Sequence, residues 1–129
     1  MIDRQKTENE SSLWLEFRRA LPICSDQTSK KIDWVREGAG ERFGDLELEI
    51  GAYFTSVTHN AQSDTELVAQ RVGVASEDLR DHPHVLIGSV EEIVEQLESQ
   101  REVNGISYVT VGAAVLEDFA PIVERLAGR

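Results

Sequence analysis

The chain has 129 residues, a formal net charge of −11 and one cysteine. This length fits one domain, and 40% hydrophobic with 29% charged residues is typical of a globular protein. The acidity disfavours binding to nucleic acid or anionic membranes, which depends on lysine and arginine. A lone Cys24 excludes an intrachain disulfide and a zinc site built from cysteines. No apolar stretch has the length of a signal peptide or membrane span, so we expect a cytoplasmic protein.

The first 31 residues differ in charge from the rest of the chain. They contain five acids and six bases, which leaves 19 acids and seven bases for the remainder. Residues 1–10 are polar and aperiodic, so we predict that they are poorly ordered. A short amphipathic helical segment is predicted after them from four apolar residues at helical spacing: Leu13, Trp14, Phe17 and Leu21.

Residues 28–39 predict a helix with one apolar stripe. Ile32, Val35 and Ala39 form the stripe, and Trp34 lies beside it. The glycines at positions 38, 40 and 44 predict a turn after this helix. They do not match a phosphate-binding loop, because they follow a helix and precede a strand.

The strongest strand is predicted at residues 46–57. Its first residues alternate between apolar and acidic, and its later residues are continuously apolar or β-favouring. This change indicates a strand whose later half is covered on both faces, as in α/β proteins.

Capping boxes predict two further helices. Ser63 and Glu66 match one box, with a helix continuing through Val72, and a further helical turn is predicted at 75–79. A second box begins at Ser89 and predicts a helix to about residue 101, ended by Asn104 and the following glycine.

The last predicted elements are a strand at 107–111 and a terminal helix from Leu116, with Pro121 near its first turn. The order is therefore helix, strand, helix, helix, strand, helix. Helical crossovers of this length place successive strands side by side and parallel. Both a (β/α) barrel and a doubly wound sheet would supply this arrangement.

Histidines suggest two candidate sites, each with a simpler alternative. The segment from Asp81 through His82 and Pro83 to His84 could supply metal ligands, but two histidines without a partner cluster favour a turn. His59 follows the best strand and could act as an acid or base, although no nucleophile or carboxylate spacing accompanies it.

The glutamates of the second capped helix are expected to form a solvated face rather than a cation site. They are Glu91, Glu92, Glu95 and Glu98. From the residues alone, we assign no catalytic residue and no metal ligand.

Three segments carry a resemblance to a known family: residues 31–48, residues 82–95 with the sequence Pro83-His-Val-Leu-Ile-Gly, and residues 105–111. Together they resemble the C-terminal portion of a luciferase-like monooxygenase. The most similar branch is that of the oxidoreductases that use the deazaflavin coenzyme F-420.

The resemblance implies an α/β fold that is the C-terminal part of an eight-stranded (β/α) barrel of the TIM type. Residues 26–129 would form about two βα units with an extra helix between them, and residues 1–25 bear no resemblance to the family. The strand at 46–57 would be the seventh strand of the barrel, and the strand at 107–111 would be the eighth.

The resemblance also implies a cofactor, a deazaflavin of the F-420 type, with FMN as the less favoured choice. Most of the family's cofactor site comes from the first six strands, which this chain lacks. Its cofactor-binding residues are therefore unknown, and it could hold no cofactor at all.

Two functions follow as hypotheses. The first is a truncated or split oxidoreductase that is inactive alone and related to enzymes that transfer a hydride between a deazaflavin and an organic substrate. The alternative is a non-enzymatic α/β module that self-associates or pairs with another chain, since unclosed strands leave edges in need of partners. We expect the isolated chain to bind deazaflavin or flavin weakly or not at all, and to oligomerise or aggregate instead.

Overall fold

The computed structural model describes residues 25–80 and 82–128 and shows a mixed α/β protein with two small parallel sheets. The predictions for residues 1–10, for the helical segment that follows them and for Asp81 lie outside these residues. None of the described helices combines the length and apolar character needed to cross a bilayer.

The helix predicted at 28–39 is confirmed as α1, Ser25–Ala39, and a 3-10 helix, Gly40–Asp45, follows it. Gly40 has φ +55° at the junction, a conformation that favours glycine. We call residues 25–45 the arm, because among side chains 28–45 only Thr28 is buried. The Ser29 hydroxyl donates a 3.0 Å hydrogen bond to Asn104 Oδ1 and joins the arm to the body, residues 46–128.

The single strand predicted at 46–57 is wrong, because two strands occupy this region: β1, Leu48–Gly51, and β2, Phe54–Val57. The Ala52 N–H donates to Thr110 O at 2.9 Å, whereas the Phe54 N–H donates to His84 O at 3.3 Å. In a regular strand these two groups point to the same side. The bend at Tyr53 therefore turns the chain from one partner strand to another.

The next helix, α2, spans Ala61–Val72, and the predicted turn after it is confirmed as the short helix α3, Ser76–Leu79. The capping box predicted at Ser63 does not form. The helix starts before that residue, where the Asp64 N–H donates to Asn60 O at 3.1 Å, so Ser63 lies inside the first turn.

A strand that the sequence analysis did not assign, β3, spans Val85–Gly88 and pairs in parallel with β2. The second capping box is confirmed: the Glu92 N–H donates to Ser89 Oγ at 3.2 Å, and the Ser89 N–H donates to Glu92 Oε2 at 2.8 Å. This helix, α4, spans Val90–Asn104, and Gly105 ends it with φ +70°.

The predicted parallel pairing is confirmed, because β4, Ile106–Thr110, lies beside β1. A 3-10 helix, Ala113–Val115, then leads into α5, Leu116–Leu126. Pro121 is the sixth residue of α5, just after its first turn, and it removes a backbone donor there.

The core consists of two clusters on opposite faces of β3. Val85 packs with Ala69, Val72 and Leu79 beneath α2 and α3. Leu86 points the other way, into a cluster beneath α4 and α5 that also contains Ala52, Ile93, Phe119 and Ile122. Helices therefore cover both faces of β3.

Candidate functional site

One cleft, called the main cleft below, lies between α2 and α4 and has a volume of about 940 Å³. Val85 and Ile87 of β3 form its floor, and most of its other lining residues are polar or charged. Those residues are His59, Asn60, Gln62, Ser63, Thr65, Glu66, Arg80, Glu92, Glu95, Gln96 and Ser99.

The floor of this cleft is a strand edge. In the β2–β3 ladder, the carbonyls of His84 and Gly88 accept from β2, so even-numbered residues of β3 face that partner. Odd-numbered residues direct their backbone groups to the other side, and Val85 O accepts there from Gln96 Nε2 at 3.0 Å. Among the described residues β3 has no second strand neighbour, so the backbone N–H and C=O of Ile87 lie on an open edge.

The charged side chains make the cleft acidic. Its acidic lining residues are Glu66, Glu92 and Glu95, and its basic lining residues are Arg80 and His59. The cleft therefore favours an occupant with backbone groups to pair with Ile87 and with positively charged side chains.

His59 lies at the rim of the cleft, just beyond β2, and it is exposed. Nearby, Arg125 Nη2 of α5 lies 2.9 Å from Glu91 Oε1 at the start of α4. A backbone hydrogen bond, together with the Arg125 guanidinium, lowers the pKa of the Glu91 carboxyl below its ordinary value, and His59 adds to this effect. Glu91 is therefore held ionised at the surface, as expected for a solvated face.

The other two histidines lie in the loop before β3 rather than in the cleft. His82 is buried, and its Nδ1 accepts from the His84 N–H at 3.2 Å. His84 Nδ1 lies 2.7 Å from Gly51 O, and since a carbonyl can only accept, this nitrogen carries the hydrogen. The predicted turn is confirmed here, in the loop between α3 and β3, and the His84 ring links this loop to the end of β1.

A smaller cavity of about 210 Å³ lies between β2 and α2. Within it Ser56 Oγ donates to Asp64 Oδ2 at 2.9 Å, but no histidine lines the cavity. In the part of the chain that the structure describes, no group of three or more histidine, cysteine or acidic side chains could hold a metal ion.

A third cleft, of about 550 Å³, lies between β4, α4 and α5 and is mainly apolar. Its charged lining residues are Glu47, Glu98 and Arg101. The apolar lining includes Leu97, Ile106, Val109, Phe119, Ile122, Val123 and Leu126.

Sequence reasoning placed His59 at a strand end but missed the groups that shape the main cleft. These are the edge of β3 at Ile87 and the Gln96 side chain. A signal for the strand itself was present, although not for its open edge, because residues 85–88 are β-favouring and stand between a proline and a capping box.

Comparison of the chain with protein-family models, with curated proteins and with solved structures finds no match.

Proposed function

We propose that this chain is a non-enzymatic α/β module that binds an extended polypeptide segment along the open edge of β3. The observation that carries the proposal is that Ile87, on the edge of β3 opposite β2, lines the acidic cleft. An added strand would form main-chain hydrogen bonds with this edge, and α2 and α4 would flank it. Basic side chains on that strand would meet Glu66 and Glu95.

The test uses the full chain and two labelled peptides of alternating lysine and valine. One peptide is unmodified, and in the other alternate backbone amides are methylated on the face that would pair with β3. We expect fluorescence anisotropy to show binding of the first peptide and at least about tenfold weaker binding of the second. Equal binding of both would show that charge alone holds the peptide and would contradict strand addition.

Matched variants test the charge of the cleft. Replacement of Glu66 and Glu95 by glutamine should weaken binding of the unmodified peptide, because both carboxylates line the cleft. The control is Glu77→Gln, which removes an exposed carboxylate of α3 that does not line it. A similar loss in the control would indicate a general effect of net charge.

The second candidate is a truncated or split luciferase-like oxidoreductase with a deazaflavin cofactor. Its support, besides the sequence resemblance, is that β1 and β4 are parallel neighbours, as adjacent barrel strands would be. Helices on both faces of β3 favour the first proposal, because a barrel wall has its helices on one face. A preceding reading frame that encodes six βα units would support the second candidate, and its absence would count against it.

A further inference from the structure

The arm has an apolar surface that is exposed in the described part of the chain. Trp34 is 66% exposed and Val35 is 42% exposed, although they stand on a helix of 15 residues. Helices of this length are marginal in water unless an apolar face is packed. The arm is joined to the body near Asn104 and does not line any of the clefts described above.

The cleft between β4, α4 and α5 is mainly apolar and has a volume of about 550 Å³. Val123 at this cleft is 55% exposed, and Tyr108 beside it is 56% exposed. Its two carboxylates, Glu47 and Glu98, have no ion-pair partner in the described part of the chain. The cleft therefore suits a surface that combines an aromatic side chain with positive charge.

The arm offers that combination. Lys30 and Lys31 precede Trp34 by one helical turn and lie on the same side of α1. Both are exposed, and neither forms an ion pair with a described residue. On the far side of the helix, Asp33 pairs with Arg36 at 3.0 Å. The lysines are thus available to meet the carboxylates of a cleft.

We propose that two copies of this chain exchange arms, so that the Trp34 face of each α1 docks in the β4–α4–α5 cleft of the other copy. Residues 46–129 hold 15 acids and five bases, so direct contact between two bodies is opposed by like charge. The arm, residues 25–45, holds five acids and four bases and can approach a second body.

The position of the arm also favours a closed pair. The arm is joined to the body at the end of α4, and the receiving cleft begins at the same end, with Ile106 of β4. A twofold axis at this end would let each arm reach the opposite cleft and would satisfy both contacts at once. This surface is separate from the β3 edge, and the inference stands without the peptide-binding proposal.

The test measures the mass of the full chain by light scattering at about 100 µM and after dilution. We expect a dimer that dissociates on dilution. Trp34→Ala and Val123→Arg should each raise the dissociation constant by about tenfold or more, because each removes one side of the contact. Leu67→Ala, at an exposed residue of α2 outside this cleft, should leave the dimer unchanged.

Mixing the two variants separates arm exchange from other dimers. In the mixed pair, the arm of Val123→Arg and the cleft of Trp34→Ala are both intact, so the mixture should dimerise more tightly than either variant alone. A pair formed by α1 against α1 would tolerate Val123→Arg, and that result would overturn the proposal. A wild-type chain that stays monomeric at about 100 µM would do the same.

The peptide assay keeps the two proposals distinct. Trp34→Ala leaves the β3 edge intact, so its monomer should bind the lysine–valine peptide as the wild type does. Circular dichroism of both variants should match that of the wild type, because Trp34 and Val123 are exposed. Loss of the dimer with a preserved spectrum therefore supports the arm contact.

Discussion

The arm and the body contain helices with similar apolar stripes but opposite environments. In α4, Ile93 is fully buried against β3 and α5, whereas in α1 the stripe residue Val35 is exposed. Both stripes have helical periodicity in the sequence. Periodicity therefore identifies a helix and its apolar face, but it does not identify the surface that covers the face.

The largest expected effect is on the free energy of unfolding, when one apolar residue is replaced in the body and one in the arm. Leu86→Ala should lower the free energy of unfolding by about 2–5 kcal/mol, because Leu86 is 1% exposed between α4 and α5. Ile32→Ala in the arm should lower it by less than about 1 kcal/mol, since Ile32 is only half-buried. Urea denaturation measures both, and equal losses would show that the arm is packed in solution.

Two glycines with positive φ sharpen the comparison. Gly105→Ala should destabilise the body by about 1–2 kcal/mol, because φ is +70° at the end of α4. Gly40→Ala, at φ +55°, should reduce the helicity of the arm without changing the unfolding midpoint of the body. Gly112→Ala is the control, since its φ is −65° and no atom lies within 4 Å of an added Cβ. Urea denaturation and circular dichroism together separate the two effects.

The two predicted capping boxes give a smaller, matched pair of substitutions. Ser89→Ala should lower the free energy of unfolding by about 1 kcal/mol, because it removes the bond to the Glu92 N–H. Ser63→Ala should change it by less than about 0.5 kcal/mol, because Ser63 is exposed within the first turn of α2. An equal cost at both serines would mean that the Ser63 box also forms in solution.

The smallest effect concerns the surface pair of Glu91 and Arg125. The pKa of Glu91 lies below its ordinary value, so its stabilising contribution is present at neutral pH. That contribution disappears as the pH falls through the pKa of the folded state. An NMR titration should show that Arg125→Ala raises this pKa only in part, because the backbone hydrogen bond is the larger cause. A full return to the ordinary value would assign the shift to Arg125 alone.

Much of the fold could be predicted from local signals in the sequence. Some signals act within a few residues, and the structure agrees with them. They are the glycine at 105, the capping box at Ser89 and the apolar spacing of α1 and α5. The parallel pairing of β1 with β4 also followed, because a helical crossover constrains direction.

The split of the first strand depended on distant residues. Residues 46–57 are β-favouring throughout, and nothing local shows that Ala52 bonds to Thr110 while Phe54 bonds to His84. The open edge of β3 was equally hidden, because an edge is defined by the strand that is absent from one side. The main cleft could therefore not be located from sequence, although His59 at its rim was singled out.

Strand β3 has only four residues, yet it joins the two halves of the core. Val85 belongs to one cluster, and its neighbour Leu86 belongs to the other. Unfolding of either cluster would separate β3 from β2. The other cluster would then lose the packing surface that β3 provides. The body should thus unfold in a single cooperative transition, and its slowest-exchanging amides should include those that β3 donates to β2.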